Sequence, residues 1–341
     1  MKKIIIFDPY TLQGIAISKY LKKYGNVFIV GCMEKSPKIK LKYIDKLIVA
    51  DFSHIDIAEY DYILPTGVYS TYKIINRCKK LEFENGLYFS SSNFIVFNKP
   101  QMIQIAGQVG VPIPETWTSV NNINAFPVFY KENFERGKGK RGIAKNFDEI
   151  PNYNDLIFQE FINTPATYGI GFLAKNGEII TFTMHKEILS YPESGGSAVL
   201  LERFYNENLL KYTKLLLKKI RYNGWGLAEF KYCNKRNDFV FMEINGKLWA
   251  SLEFMLANNH GFLKNLLNIS YECKKIEKIL FINRLFQYDF KNILKNMKFY
   301  HHSEIIKENP LFYQIIRKII PDSLVFIFKK ERYAKNQDSG K

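Results

Sequence analysis

The sequence predicts an α/β protein in three parts: a Rossmann-like domain over residues 1–95, a second module over 96–270, and a basic helical extension over 271–341. Three observations carry this reading. Apolar strand-like runs alternate with helical periodicity through the first 95 residues, as in a parallel sheet with helices on both faces. Two β-rich runs, 226–232 and 241–249, flank a polar turn and read as a hairpin. A chain of 341 residues exceeds one small domain.

In the first region, Ile4–Phe7, Val27–Gly31, Leu47–Ala50, Tyr62–Leu64 and Leu87–Phe89 read as strands. Leu12–Tyr24 and Thr71–Leu81 read as helices. The first turn, Asp8-Pro9-Tyr10-Thr11-Leu12-Gln13-Gly14, lacks the Gly-x-Gly-x-x-Gly that lets backbone approach a pyrophosphate, which excludes nicotinamide or flavin binding here.

Asn98 can cap a helix whose first turn holds Lys99 and Pro100 and which ends at Gly110. Phe126–Lys131 reads as a strand ending in a cation. The run from Glu135 through Arg136, Gly137, Gly139 and Gly142 is not a P-loop, since Gly-x₄-Gly-Lys-Ser/Thr is unmet. Its glycines can still aim backbone N–H groups at an anion, although a solvated loop explains the residues equally well. Leu156–Ile162 is an apolar strand with Glu160 embedded.

Ile170–Ala174 and Glu178–Glu187 read as strands joined at Lys175-Asn176-Gly177. His185-Lys186 closes the second strand, and a Gly-Gly loop, Tyr191–Ser197, follows. Leu209–Arg221 is a helix with an apolar stripe. Folding the next hairpin about Arg236 sets Glu229 opposite Glu243, each seven residues from the centre. Alternation puts Asn245 on the same face as Glu243. Directly opposed carboxylates repel and need a cation between them. Two carboxylates and an amide oxygen are hard ligands suited to Mg²⁺. A helix follows from Trp249 to about Leu267.

Residues 242–253, Met-Glu-Ile-Asn-Gly-Lys-Leu-Trp-Ala-Ser-Leu-Glu, resemble the metal-binding strand of ATP-grasp enzymes. Of these, the carboxylate–amine ligase and carbamoyl-phosphate-synthase-like members of bacterial polysaccharide gene clusters are most alike. The resemblance covers about residues 1–268 and implies a Rossmann-like pre-ATP-grasp domain, then an ATP-grasp module whose two α+β subdomains clamp ATP, with a mobile lid at about 119–163. It implies ATP with Mg²⁺ or Mn²⁺ as cofactors, held by Glu229, Glu243 and Asn245. Lys99, Lys131, Arg136, Gly137, Gly139 and Gly142 would meet phosphates, and Glu160, Phe161 and Ile162 the adenine. Lys247 and Lys186 would act on the reacting carboxylate, with His185, Ser194, Gly195, Gly196 and Ser197 on the substrate side. Lys247 stands where the family usually has Arg, Glu132 where it often has Pro. The activity implied is ATP-dependent joining of a small-molecule carboxylate to an amine through an acyl phosphate, in polysaccharide or nucleotide-sugar modification. Carbamoyl or carboxyphosphate chemistry, and a non-catalytic nucleotide-binding scaffold, are the rivals.

The net charge is +16, from 49 basic and 33 acidic residues, and only nine cations are Arg. Scarce Arg counts against sequence-specific nucleic-acid reading. The cysteines, at 32, 78, 233 and 273, form neither a zinc pattern nor a disulfide framework, which fits a reduced cytoplasm. No signal peptide is read, and no apolar run reaches the roughly 18 residues of a membrane span. Oligomeric state is left open, a homo-oligomer included. Residues 271–341 carry 15 Lys/Arg against 8 Asp/Glu and short amphipathic runs, Leu311–Ile320 and Leu324–Phe328. Such short helices need a partner surface, so the extension is expected to pack on the core, with membrane-surface contact weak and secondary.

Overall fold

In the computed structural model, which describes residues 1–35, 41–137, 139–164, 166–192, 196–288 and 290–306, the first apolar runs pair as a parallel sheet. Strands β1 (Lys2–Phe7), β2 (Val27–Met33), β3 (Lys46–Val49) and β4 (Tyr62–Pro65) lie in the order β3-β2-β1-β4. Helix α1 (Leu12–Tyr24) begins at Thr11, whose hydroxyl accepts the Gly14 N–H. Helix α2 spans Val68–Cys78, earlier than the Thr71–Leu81 the periodicity suggests. Lys79, at φ 64°, ends it, and Lys80–Glu82 leaves as β5 to pair with β6 (Tyr88–Ser90). Strand order reverses beside β1, and there the loops after β1 and β4 meet. The Thr11 and Thr66 hydroxyls are 2.7 Å apart, and Gln13 Nε2 donates to the Thr66 carbonyl at 2.5 Å.

Helix α3 (Lys99–Gln108) is capped by Asn98, which accepts the Gln101 N–H. A small antiparallel sheet follows, of β7 (Thr116–Trp117), β8 (Val128–Glu132), β9 (Arg141–Ala144) and β10 (Leu156–Glu160), in the order β7-β10-β8-β9. Its own core holds Trp117, Val128, Ala144, Leu156 and Phe158. β10 stops at Glu160 rather than Ile162, because Ile162 turns away to pack on Cys233 and Val240.

The large sheet contains β11 (Thr167–Lys175), β12 (Glu178–Tyr191), β13 (Ser197–Arg203), β14 (Gly224–Cys233) and β15 (Asp238–Asn245). The β11–β12 turn has both Asn176 (φ 51°) and Gly177 (φ 85°) left-handed, as a tight two-residue hairpin requires. Helix α4 (Glu207–Ile220) covers one face, where Phe230, Phe241 and Phe172 are fully buried. The single helix expected from Trp249 to Leu267 is two, α5 (Leu252–Asn258) and α6 (Gly261–Leu267). They part at Asn259, whose side chain accepts the Gly261 N–H at 2.9 Å and donates to the Phe182 carbonyl at 2.7 Å.

The described part of the extension is not helical throughout. β16 (Lys278–Phe281), α7 (Ile282–Leu285), α8 (Phe290–Asn296) and β17 (Glu304–Ile306) follow one another, and the two strands complete the sheet order β15-β14-β11-β12-β13-β16-β17. Backbone pairing with β13 thus anchors residues 278–280 to the core. The amphipathic runs beyond 306 lie outside the described residues. Among the described residues no helix is long and apolar enough to cross a membrane. All four cysteines are free thiols.

The face of the large sheet away from α4 is floored by glycine. A Cβ on Gly171 would lie 2.5 Å from the Trp249 ring, which the 246–251 loop lays across it. Gly171→Ala is therefore expected to destabilise the protein by about 1–3 kcal/mol through overpacking. Urea denaturation measures this, and an unchanged midpoint would show that the Trp249 loop yields freely.

Candidate active site

The glycine-floored face carries the carboxylates. β14 and β15 pair with Glu229 directly opposite Glu243 and Leu227 opposite Asn245. The turn is not centred on Arg236: Cys233 pairs with Asp238, half a residue earlier. A bulge at Met242 makes up the difference. It also decides which way the side chains point. Phe241 and Glu243 would share a face in a regular strand. With Met242 inserted, Phe241 opposes Phe230 in the core while Glu243 opposes Glu229 on the ligand face.

Two lysines from other elements converge here. Lys131, at the end of β8 and 6% exposed, donates to the Met242 carbonyl at 3.0 Å and lies 3.4 Å from Glu243 Oε2. Lys99, in the first turn of α3 and 8% exposed, lies 3.3 Å from Glu135 Oε2. Lys247 stands 3.9 Å from Glu135 Oε1 on the other side. Val96, Lys99, Glu135, Glu243, Ile244 and Asn245 line one crevice.

The glycine loop rises beside it. Gly142 lies opposite Tyr130, and a Cβ there would collide with the tyrosine hydroxyl. Glu132 clamps the loop, since its carboxylate accepts the Lys140 N–H at 2.9 Å. It leaves Gly139 little room, a Cβ there falling 3.2 Å from Glu132 Oε2. Gly137 and Arg136 are exposed. Glu160 and Phe161 are half-buried and Ile162 is buried. The Glu160 carboxylate grips Arg236 with two bonds, at 2.5 and 3.2 Å, tying the small sheet to the β14–β15 turn.

His185 lies in the same cross-strand row as the carboxylates, opposite Gly169, which in turn opposes Glu229. Its ring lies where a Gly169 Cβ would be and packs edge-on against Phe254. Burial pushes its pKa down to about 4, so it is a neutral wall of the site. Lys186 is not brought to the site. Strand alternation turns it to the α4 face, opposite Tyr168, with its Nζ 5.9 Å from that ring. Gly196 N–H donates to the Pro192 carbonyl at 2.7 Å, and Ser197 begins β13, whereas Ser194 and Gly195 lie outside the described residues.

Two acids escaped the reading of the sequence. Glu135 looks like a solvated loop residue until α3 is packed beneath it. Glu187 has the parity of His185, a signal that counting along 178–187 would have found. Burial pushes the Glu187 carboxyl up to about 7, against the pull of Ser190, Arg284, Lys231 and Arg141.

The facing pair is electrically asymmetric. Burial would raise Glu243, but the Lys131 and Lys99 ammoniums overcome it and hold the carboxyl low. Burial raises Glu229, and the charges of Glu243 and Glu187 push it further, to about 8. Burial depresses the Lys131 ammonium despite the Glu243 charge. This donor set fits a divalent cation. Asn245 Oδ1 is buried with no hydrogen-bond partner, beside two carboxylates that repel without a cation. Among the described residues no three His, Cys, Asp or Glu side chains form a metal cluster. The protein-borne set is therefore two carboxylates and an amide oxygen, which leaves positions for water and phosphate, as Mg²⁺ prefers.

No family model and no curated protein matches the chain. Solved structures do. N5-carboxyaminoimidazole synthetase from Staphylococcus aureus, complexed with ADP, aligns with a TM-score of 0.61 at 11% identity, over 80% of this chain and 79% of that one. An L-amino acid ligase from Bacillus licheniformis aligns at 0.56 and 10% identity, over 76% and 71%. A protein from Archaeoglobus fulgidus provisionally assigned to the ATP-grasp superfamily aligns at 0.57 and 14% identity, over 80% and 90%. The fold is therefore that of ATP-grasp proteins: a parallel N-terminal sheet followed by a small antiparallel sheet and a large, mainly antiparallel one.

The raised Glu229 carboxyl has a stability consequence with a definite sign. Its folded pKa, about 8, lies above the ordinary value of 4.5. The folded state thus holds a proton that the unfolded chain releases, and that contribution is full at low pH and lost as pH rises toward 8. Glu229→Gln is expected to stabilise the metal-free protein at pH 8 by about 1–2 kcal/mol and to change little at pH 5. Thermal melts in chelator at both pH values measure this, and a gap independent of pH would contradict it.

Proposed function

We propose that the protein is an ATP-dependent ligase that activates a substrate carboxylate as an acyl phosphate and joins it to an amine. The observation that carries this is the single crevice in which buried Lys99 faces an anionic oxygen beside Glu243 and Asn245. Cations and hard oxygen ligands side by side are what a metal-bound polyphosphate needs. The L-amino acid ligase of similar fold supports the reaction class.

Lys99 and Lys131, with the amides of the Gly137–Gly142 loop, would hold phosphates. Glu229, Glu243 and Asn245 would hold Mg²⁺ or Mn²⁺, which supplies charge neutralisation of the polyphosphate. The substrate carboxylate attacks the γ-phosphorus, and ADP leaves. The amine then attacks the acyl carbon, a C–N bond forms, and phosphate departs. Phosphoryl transfer asks the protein mainly for positioning and charge, so the rate rests on how these side chains are fixed. With Lys186 on the far face, the developing oxyanion falls to Lys247, which gives a point charge without a guanidinium fork. His185, neutral and buried, would shape the substrate wall, while Ser197 pairs with Tyr191, six residues further along β12. The lid, at about 119–163, would shield the acyl phosphate from water. By sequence alone, the Pro-x-Ser-Gly-Gly run at 192–196 and the 242–253 run resemble polysaccharide-cluster ligases, which would put the substrates among small acids, amines and nucleotide-linked sugars. Lys247 in place of Arg favours one second reading, a nucleotide-binding scaffold without turnover.

An ADP-release screen over amino acids and nucleotide-linked sugars, with hydroxylamine to trap acyl phosphate, tests the reaction. ADP release with any acid–amine pair supports the ligase; nucleotide binding without turnover across the panel supports the scaffold. Glu243→Gln is expected to lower metal-dependent turnover at least about 100-fold with the fold intact. Lys99→Met and Lys131→Met should each weaken MgADP binding by about tenfold, one charge-assisted contact each. Calorimetry showing unchanged affinity in both would refute the phosphate contacts.

A further inference from the structure

Glu135 sits where the proposed phosphates would sit. Its carboxylate accepts from Lys99 Nζ at 3.3 Å and from the Gly137 N–H at 2.9 Å, and pairs with the Lys247 ammonium at 3.9 Å. Two ammoniums and a backbone amide are the set an incoming phosphate oxygen would receive. The position is built, not incidental. The Lys99 N–H donates to the Asn133 carbonyl at 2.9 Å, and the Glu135 N–H donates to the Phe97 carbonyl at 3.0 Å. Asn98 and Phe134 form a β-bridge between these bonds. The start of the glycine loop is thereby stitched to the entry of α3, with Glu135 pointing into the crevice. Lys99 keeps only 8% of its side-chain surface, so no anion reaches it while Glu135 stays.

We propose that Glu135 is an autoinhibitory latch, an internal anion that a nucleotide polyphosphate must displace from Lys99 and Lys247. This rests on the phosphate assignment of those lysines above and goes beyond it. The physical reason is competition. Two anions cannot share the same pair of ammoniums without repelling, so binding requires the Glu135 side chain to swing out. The latch also selects. A ligand with few contacts gains too little to displace a tethered carboxylate, whereas a metal-chelated polyphosphate that also engages Glu243 and Asn245 gains enough. The same carboxylate offsets the repulsion between the clustered lysines.

The test is calorimetric titration of wild type and Glu135→Gln with MgADP, and with pyrophosphate as a probe lacking the base. The variant is expected to bind both about five- to tenfold tighter, with the larger gain for pyrophosphate. Glu135→Asp, shortened by one methylene and unable to span both lysines, should also bind tighter and serves if the glutamine variant does not fold. Equal or weaker binding by the variants would overturn the latch. Weaker binding with a raised Mg²⁺ requirement would also overturn it and make Glu135 a metal ligand. If MgADP binds neither protein but pyrophosphate binds the variant more tightly, the nucleotide reading fails while the latch stands. Failure of both probes on both proteins overturns both.

Discussion

Two carboxylates face each other across β14 and β15, and the architecture of the cleft follows from keeping them there. Left alone, Glu229 and Glu243 would repel at cross-strand distance. Without a metal, the protein relieves this in two ways. Lys131 reaches over from the small sheet to Glu243, and burial lets Glu229 retain its proton. The Lys131 contact is thus also a fastening between two sheets.

The small sheet is tied to the β14–β15 hairpin by two ion pairs of opposite arrangement. Near the crevice its cation, Lys131, meets the anion and the bulge carbonyl of β15. At the other tie its anion, Glu160, meets the cation Arg236 on the turn of the same hairpin. The Glu160–Arg236 pair is the more exposed, so salt screens it more than the buried one. Glu135, stitched to the entry of α3, adds a negative charge from the glycine loop that sits in the crevice.

Much of this was legible in the chain. Alternation of apolar runs gave the parallel domain, and Lys175-Asn176-Gly177 is a tight turn as read. The Glu229–Glu243 pair was legible too, although through two offsetting shifts. The turn is centred half a residue early, and the Met242 bulge restores the pairing. Lys186 shows the limit of adjacency. It neighbours His185 in sequence, yet a strand sends neighbours to opposite faces. The break at Asn259 was not legible, because it depends on bonds from that side chain to Phe182 on a distant strand.

The sequence by itself determined the class of each element and the chemical inventory of the site: two glutamates and an asparagine at alternating positions, lysines at the ends of a strand and a helix, and a glycine-rich loop. These are local properties, set by period and by residue type. Only the tertiary structure decided which charges meet. The 112 positions between Lys131 and Glu243, and the 36 between Lys99 and Glu135, are closed by packing of sheets and helices, which no local pattern encodes. The bulge at Met242 belongs to the same class. One residue's insertion opposite β14 decides whether Glu243 faces the cleft or the core, and that is settled by the need to bury Phe241 against Phe230.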